Sequence, residues 1–337
     1  MTTARMVFRG TMRGHTDVIT AIAMPTENNR MAVTASHDKS VIVWDLIKDG
    51  VTYGVHSHRL TGHTNVVQDV ALSNCGRIAI SASLDSTLHW NIDDGTLILR
   101  HRIVDRRQQL LSVAFSADNR KYALASSNGT INFTTVDDTT SSNVDAPHAD
   151  RVSCVRFSPN ASSSSKHVAV SGSWDQTLKV WDSSSNNLKL MHTLTGHSDR
   201  VNTVAVARDG TRCVSGGNDG LIMLWDMIQG KRLCSLETGY IIYALSMNPA
   251  RDWVSVGTEE SVMIWDLERE SVIHELKTEE AEERVFNPYE EDGIIYCTSL
   301  SWSNDGSTLF CGYIDFIEKG RCEIDQALIN GYQHPMH

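Results

Sequence analysis

Short runs in which apolar and polar residues alternate recur along the chain: VITAIAM at 18–24, VVQDVAL at 66–72 and VNTVAVA at 201–207. A period of two predicts strands with one buried face. After each run come a turn, a second apolar run, another turn rich in Asp, Asn or Gly, and a third run that ends in Trp. These are hairpin signals. Gly-His precedes the runs, at 14–15, 62–63 and 196–197. Trp-Asp closes copies at 44–45, 181–182, 225–226 and 265–266, with Trp90-Asn91 as a variant. Successive copies lie roughly 40–47 residues apart, the period of a four-stranded blade in a radially repeated β-fold. No segment of this region shows a convincing helical period.

The weaker copies follow from register. LLSVAFSADNRKYALASSNGTINFTT (110–135) is a third copy in which Arg106, Asn128 and Thr134 stand at the His, Asp and Trp positions. The fourth runs from PHADRVSCVRFSPN to SGSWDQTLKVWD. IIYALSMNPARDWVSVGTEESVMIWDL is the sixth, without Gly-His, and CTSLSWSNDGSTLFCGYID is the seventh, without Trp-Asp. Seven copies fill almost the whole chain. The expected fold is all-β, a single seven-bladed β-propeller over 1–337, which nearly removes sheet edges by radial repetition. Its expected parts are blade 1 at about 13–50, blade 2 at 60–95, blade 3 at 102–137, blade 4 at 146–184, blade 5 at 194–229, blade 6 at 238–270, an insertion at 278–296 and blade 7 at 297–330. Residues 6–12 are expected to supply the outer strand of blade 7. Two departures stand out. Asp85 precedes Trp90 by five residues, where other copies have six. The chain after Asp315 lacks an alternating strand ending in Trp.

Within the best copies the spacings repeat: Thr34, Asp38, Trp44; Ser171, Asp175, Trp181; Ser215, Asp219, Trp225. His15, His63, His148 and His197 recur with them. A proton relay is built once, whereas a scaffold device is built in every repeat, so recurrence assigns these His and Asp residues to structure. No GxxxxGK[ST], HExxH, GxSxG or zinc-ligand spacing is present. No cofactor or metal is expected, and HPMH at 334–337 reads as a tail. Function should then reside in surfaces.

Charge sharpens that reading. The net charge is -11, but residues 259–292 hold thirteen acids against Arg269, Lys277 and Arg284, which leaves the rest nearly neutral. Residues 96–121 carry Arg100, Arg102, Arg106, Arg107, Arg120 and Lys121 against Asp105 and Asp118, a local excess of four positive charges. The seven cysteines are scattered, as in a reduced, cytosolic protein. No apolar run suggests a signal peptide or a membrane-spanning helix. The rim of cations suits phosphate contact. The acidic stretch would face solvent or basic partners.

FRGTMRGHTDVIT, TASHDKSVIVWDL, SVAFSADNR, VSCVRFSPN, SGSWDQTLKVWD, SGGNDGLIMLWD and TSLSWSNDGSTLFCGY resemble, in order and spacing, the WD-repeat receptors for activated C-kinase. These are Gβ-like scaffold proteins of the eukaryotic small ribosomal subunit. The resemblance covers about residues 6–315, with TYG after blade 1 and the long insertion as its specific features. It implies structural tetrads in which the His of Gly-His bonds the turn Asp, with Ser or Thr and the Trp N–H completing the network. It also implies a non-enzymatic, cytoplasmic, ribosome-associated adaptor that contacts rRNA and ribosomal proteins on the subunit head and recruits protein kinase C and other signalling proteins to regulate translation. The family's ribosome contact uses an Arg-Asp-Lys turn, here His37-Asp38-Lys39. With the cations entering the same face, the expected ribosome-binding set is Arg13, His37, Lys39, Arg100, Arg102, Arg106 and Arg107. The family's kinase-binding stretch matches Ser261, Val262, Met263, Ile264, Trp265, Asp266 and Leu267. Tyr53 matches a phosphorylated tyrosine, while another family tyrosine is Asp252 here. A heterotrimeric G-protein β subunit would need a long helix before the first Gly-His, and a ubiquitin-ligase adaptor would need an F-box-like segment. A general cytosolic scaffold, or a Gβ-like adaptor not bound to ribosomes, is the alternative.

Overall fold

The computed structural model describes residues 6–47, 53–102, 108–136, 141–143, 147–159, 168–184, 188–276, 296–314 and 329–333. These residues form strands and no helix. Six antiparallel sheets are each made of four consecutive strands. They are β2 (Ile19–Ala23), β3 (Met31–Ser36), β4 (Ser40–Leu46) and β5 (Gly54–Thr61); β6 (Val67–Leu72), β7 (Ile78–Ser83), β8 (Ser86–Asn91) and β9 (Leu97–Arg102); and β10 (Leu110–Phe115), β11 (Lys121–Ser126), β12 (Ile131–Thr135) and β13 (Ser141–Asn143). Then come β14 (Val152–Phe157), β15 (Val168–Ser173), β16 (Thr177–Asp182) and β17 (Lys189–Thr195); β18 (Val201–Val206), β19 (Arg212–Gly217), β20 (Leu221–Asp226) and β21 (Lys231–Glu237); and β22 (Ile242–Met247), β23 (Trp253–Thr258), β24 (Val262–Asp266) and β25 (Ser271–Leu276). A further sheet joins the two ends of the described chain, with β26 (Tyr296–Trp302), β27 (Thr308–Ile314) and β28 (Ile329–Gln333) followed by β1 (Val7–Met12). The fold is an all-β propeller.

The first strands of the sheets line the axis. Each packs on the next, β2 on β6 through to β22 on β26, and β26 packs on β2. Their side chains stitch neighbouring sheets together. Thr20 Oγ1 donates to the Val67 carbonyl at 2.9 Å, Ser153 Oγ to Val201 at 2.6 Å, Asn202 Nδ2 to Ile242 at 3.0 Å, and Thr298 Oγ1 to Ile19. Gln68 and Leu111 hold the equivalent places in β6 and β10. There the link is made by Asp69, whose carboxylate accepts from Ser112 Oγ at 2.6 Å and from Arg156 Nη1 at 3.1 Å. One ion pair thus ties three successive sheets around a central cavity of about 350 Å³.

Apolar residues of the inner three strands are buried between sheets, so the core is distributed as inter-sheet layers. The fourth strands are different. The β21 sequence KRLCSLE is mostly exposed, and so is β5. These outer strands follow Trp-Asp and fall wholly or largely outside the blade intervals read from the sequence.

Cross-strand size swapping explains how the third sheet does without its closing Trp. The closing Trp is paired with a smaller residue on the second strand: Trp44 with Ala32, Trp90 with Ala79, Trp181 with Ala169, Trp225 with Cys213 and Trp265 with Val254. In the third sheet Thr134 stands opposite Tyr122. The ring has moved across the hairpin, and Tyr122 is 1% exposed.

Candidate functional site

The repeated His–Asp pairs form tetrads. His15 Nδ1 meets Asp38 Oδ2 at 2.8 Å, and Nε2 meets Thr34 Oγ1 at 2.8 Å, which accepts the Trp44 indole N–H at 2.8 Å. His148, Asp175, Ser171 and Trp181 repeat this at 2.8–2.9 Å. His197, Asp219, Ser215 and Trp225 repeat it at 2.7–2.8 Å. The Gly before His15 and before His197 is required by close approach, whereas His148 follows Pro147. A Cβ on Gly14 would stand 2.9 Å from Trp44 Cη2, and one on Gly196 would stand 3.2 Å from Trp225 Cη2. Burial pushes the Asp38 carboxyl up, but the hydrogen bond and charge of His15, with hydrogen bonds from Ser40, outweigh it and hold Asp38 well below the usual carboxylate range. Asp175 is depressed in the same way, with burial opposed chiefly by His148 and Thr177. Both groups are tuned for permanent charge inside a scaffold.

The shortened turn of the second sheet breaks this pattern. His63 Nε2 bonds Ser81 Oγ at 2.6 Å, and Ser81 accepts from Trp90 at 2.8 Å. His63 Nδ1 faces Ser86 Oγ at 3.4 Å, however, while Asp85 takes hydrogen bonds from Thr64, Ser83 and Ser86. Burial lowers the His63 pKa to about 4, with Asp85 opposing and Arg100 adding to the shift. His89, edge-on to Tyr122, is also lowered to about 4 by burial and then by the His101 charge. Both rings are neutral in the fold, and in the unfolded chain they titrate near pH 6.5. Their contribution to stability is present above pH 6.5 and declines as pH falls towards 4. We expect each to cost about 2 kcal/mol by pH 5. Denaturant midpoints measured at pH 7 and pH 5 check this, and His89→Phe should flatten the difference.

The sixth sheet keeps only the indole. By strand pairing, Val256 opposite Met263 corresponds to Ser215 opposite Met223. Among the described residues the buried Trp265 indole nitrogen has no partner. Val256→Thr is expected to give it an acceptor and to stabilise the protein by about 1 kcal/mol; a lower melting temperature would contradict that.

The sequence-predicted surface residues fall in three groups. Arg13 and Lys39 are exposed and His37 is half-buried. They sit together, because the Thr16 amide and His15 ring both bond Asp38. Lys39 adopts φ 69°, the left-handed conformation that Gly220 takes in the equivalent turn and that Gln176 also takes. Arg100 is half-buried and donates to the Gly62 carbonyl at 2.7 Å. Arg102 ends β9, and Arg106 and Arg107 lie outside the described residues. Sequence reasoning missed Arg59, which bonds Gly14, Ser40 and Asp38 over the first tetrad. The signal was available only through pairing: Arg59 lies opposite Ile42 and Arg100 opposite Leu88, each two residues before the closing Trp.

The stretch Ser261–Leu267 forms β24 and its ends. All of its residues except Met263 are buried, and β24 pairs with β23 on one side and β25 on the other. Tyr53 is 3% exposed, with its hydroxyl 3.1 Å from Thr308 Oγ1 and its ring edge-on to Phe310. A kinase would reach that hydroxyl only after this contact opens.

The family described as WD domain, G-beta repeat matches residues 6–45, 54–90, 141–182 and 188–226. Each matched unit thus combines an outer strand with the inner three strands of the next sheet. Along most of its length the chain is similar to proteins named small ribosomal subunit protein RACK1. That of Medicago sativa is 51% identical over 322 residues, covering 92% of this chain and 95% of that protein. The chain belongs to the RACK1 family. The Glycine max member is 49% identical over 326 residues, covering 93% and 97% of the two chains, and the RACK1y protein of Oryza sativa subsp. japonica is 42% identical over 340 residues, covering 92% and 94%. The RACK1 likeness extends over 92% of the chain, whereas the repeat matches leave out the sixth sheet and most of the third and seventh.

Proposed function

We propose that this chain is a non-enzymatic, cytoplasmic adaptor of the small ribosomal subunit head. In this reading the ring is a complete seven-bladed propeller, with its seventh blade assembled from both ends of the chain. The single observation that carries the ribosomal assignment is similarity of 42–51% over some 92% of the chain to proteins named for that subunit. The exposed cations Arg13 and Lys39 beside the first tetrad supply a surface for rRNA phosphate and for acidic segments of ribosomal proteins. Arg102, Arg106 and Arg107 are proposed to contribute charge to the same contact. The side carrying blades 5 to 7 is left for signalling proteins such as protein kinase C, and through them for regulation of translation. A kinase approaching Ser261–Leu267 would meet the exposed flanks Glu260 and Glu268, since most of the stretch is interior.

Co-sedimentation with small ribosomal subunits across a salt series tests this reading. Lys39→Gly is the informative variant, because it removes the charge and relieves a left-handed backbone in one step. Loss of binding then cannot be laid to unfolding. It should weaken binding and lower the salt slope by about one. Lys39→Glu with Arg106→Glu and Arg107→Glu should release the protein, while reversing Glu279, Glu280, Glu282 and Glu283 should not. Wild-type protein that never co-sediments would leave a general interaction scaffold or a Gβ-like adaptor as the function.

A further inference from the structure

A second surface lies on the same side of the ring, where the sheet of β14–β17 meets that of β18–β21. The Arg151 guanidinium carbon lies 4.7 Å from the ring centre of Trp174, and that of Arg200 lies 4.1 Å from it. Arg151 and Arg200 are exposed and Trp174 is half-buried. The three come from separate loops: two enter the first strands β14 and β18, and one joins β15 to β16. Backbone bonds fix these loops, with the Trp174 amide donating to the Arg151 carbonyl at 2.9 Å and the Asn218 amide to the Arg200 carbonyl at 3.0 Å. Among the described residues neither guanidinium has a hydrogen-bond or ion-pair partner. Asp150 and Asp199, the obvious candidates, instead accept the amides that follow them, both at 2.7 Å.

Stacking on an indole uses the face of a guanidinium and leaves its N–H edge free. The edge is the part that binds carboxylate or phosphate in bidentate fashion. Here two such edges are held around one ring, with the side-chain entropy already lost. We infer that Arg151, Trp174 and Arg200 form a docking site for a peptide segment carrying phosphoserine or phosphothreonine. A phosphorylated side chain brings nearly two charges and three acceptor oxygens to one point, which suits two guanidinium forks held on one ring. The surroundings favour this over nucleic acid. Asp150 and Asp199 cancel the two cations at longer range, so the patch has no extended positive field to hold a polyanion. It is therefore separate from the rRNA surface proposed at Arg13 and Lys39.

Fluorescence anisotropy with three labelled peptide pools tests the site. The pools share degenerate flanks and carry phosphoserine, serine or glutamate at the centre; a single-stranded RNA oligonucleotide is the fourth probe. The phosphoserine pool should bind at least about tenfold more tightly than the serine pool. Arg151→Gln and Arg200→Gln should each remove about tenfold, and Arg151→Lys should restore little, because it keeps the charge and loses the fork. All three should melt with the wild type. Lys39→Gly should bind the phosphoserine pool normally, so failure of the ribosomal reading leaves this test intact. Equal affinity for the phosphoserine and serine pools, unaffected binding by both Gln variants, or tighter RNA binding through the same arginines would each overturn the proposal.

Discussion

Trp225→Ala is expected to lower the stability of the protein by roughly 3–5 kcal/mol. The indole is 2% exposed and lies between sheets, with its ring edge against Gly196 and its N–H on Ser215. Truncation removes the packing and leaves a cavity that the stiff backbone of two flanking sheets cannot close. It also takes one donor from Ser215, which still bonds His197 at 2.7 Å. Asp219→Ala should cost less, about 1–3 kcal/mol, because it removes far less volume and the main loss is a buried polar partnership. His197 Nδ1 and the Ser198 amide would both lose their acceptor. Trp225→Phe separates the terms by keeping the bulk and deleting the N–H. Chemical denaturation of the set should rank Ala above Asp219→Ala. An unchanged midpoint for Asp219→Ala would remove the structural reading of the tetrad and reopen proton transfer as its purpose.

Removing β28 should have an effect at least as large. That strand is paired on both sides, with β27 through Thr308–Gln333 to Cys311–Asn330 and with β1 through Val7–Gln333 to Met12–Ile329. A chain ending before residue 329 would leave β1 with no partner and make β27 an open edge. The gap would also uncover Phe310 and Met12, both at most 1% exposed, and the Tyr53–Thr308 contact. We expect loss of cooperative unfolding rather than a modest shift in midpoint. Gly331→Pro, which deletes one N–H from the middle of the ladder, should give an intermediate result. Hydrogen exchange in the full chain should show weaker protection in β26–β28 than in β14–β21. Protection equal to or above that of β14–β21 would mean that this sheet is as firmly closed as the others.

The residues most legible in the sequence were those whose chemistry repeats. Two complete tetrads and the interrupted second one begin at Gly-His, and the complete one after Pro147-His148 follows from the same Ser, Asp and Trp spacing. The inner strands were visible because they are buried on both faces or alternate cleanly. The outer strands were not. Strands such as KRLCSLE face solvent along most of their length, so no hydrophobic period marks them. The Tyr122–Thr134 exchange was hidden for another reason. It conserves volume across a hairpin, between positions twelve residues apart in the chain. For the surface residues, sequence identified charge but not its engagement. Arg100 is tied to a carbonyl and Arg59 caps a tetrad, whereas Arg151 and Arg200 hold a ring and keep their edges open. Ser261–Leu267, expected from the sequence to meet a kinase, is built as an inner strand whose letters are also those of the repeat.

The pairing of β1 with β28 also sets the timing of the protein's birth. More than three hundred residues separate these strands, so β1 is synthesised long before β28. At about 5–20 residues per second, β1 waits roughly 20–60 s for its partner. During that interval the nascent chain has an unpaired strand at one end and an unclosed stack of sheets behind it. Sheets made early can fold in sequence as they emerge, but the ring closes only once β28 has left the exit tunnel. A partner that needs the closed ring would therefore engage finished molecules and pass over incomplete ones.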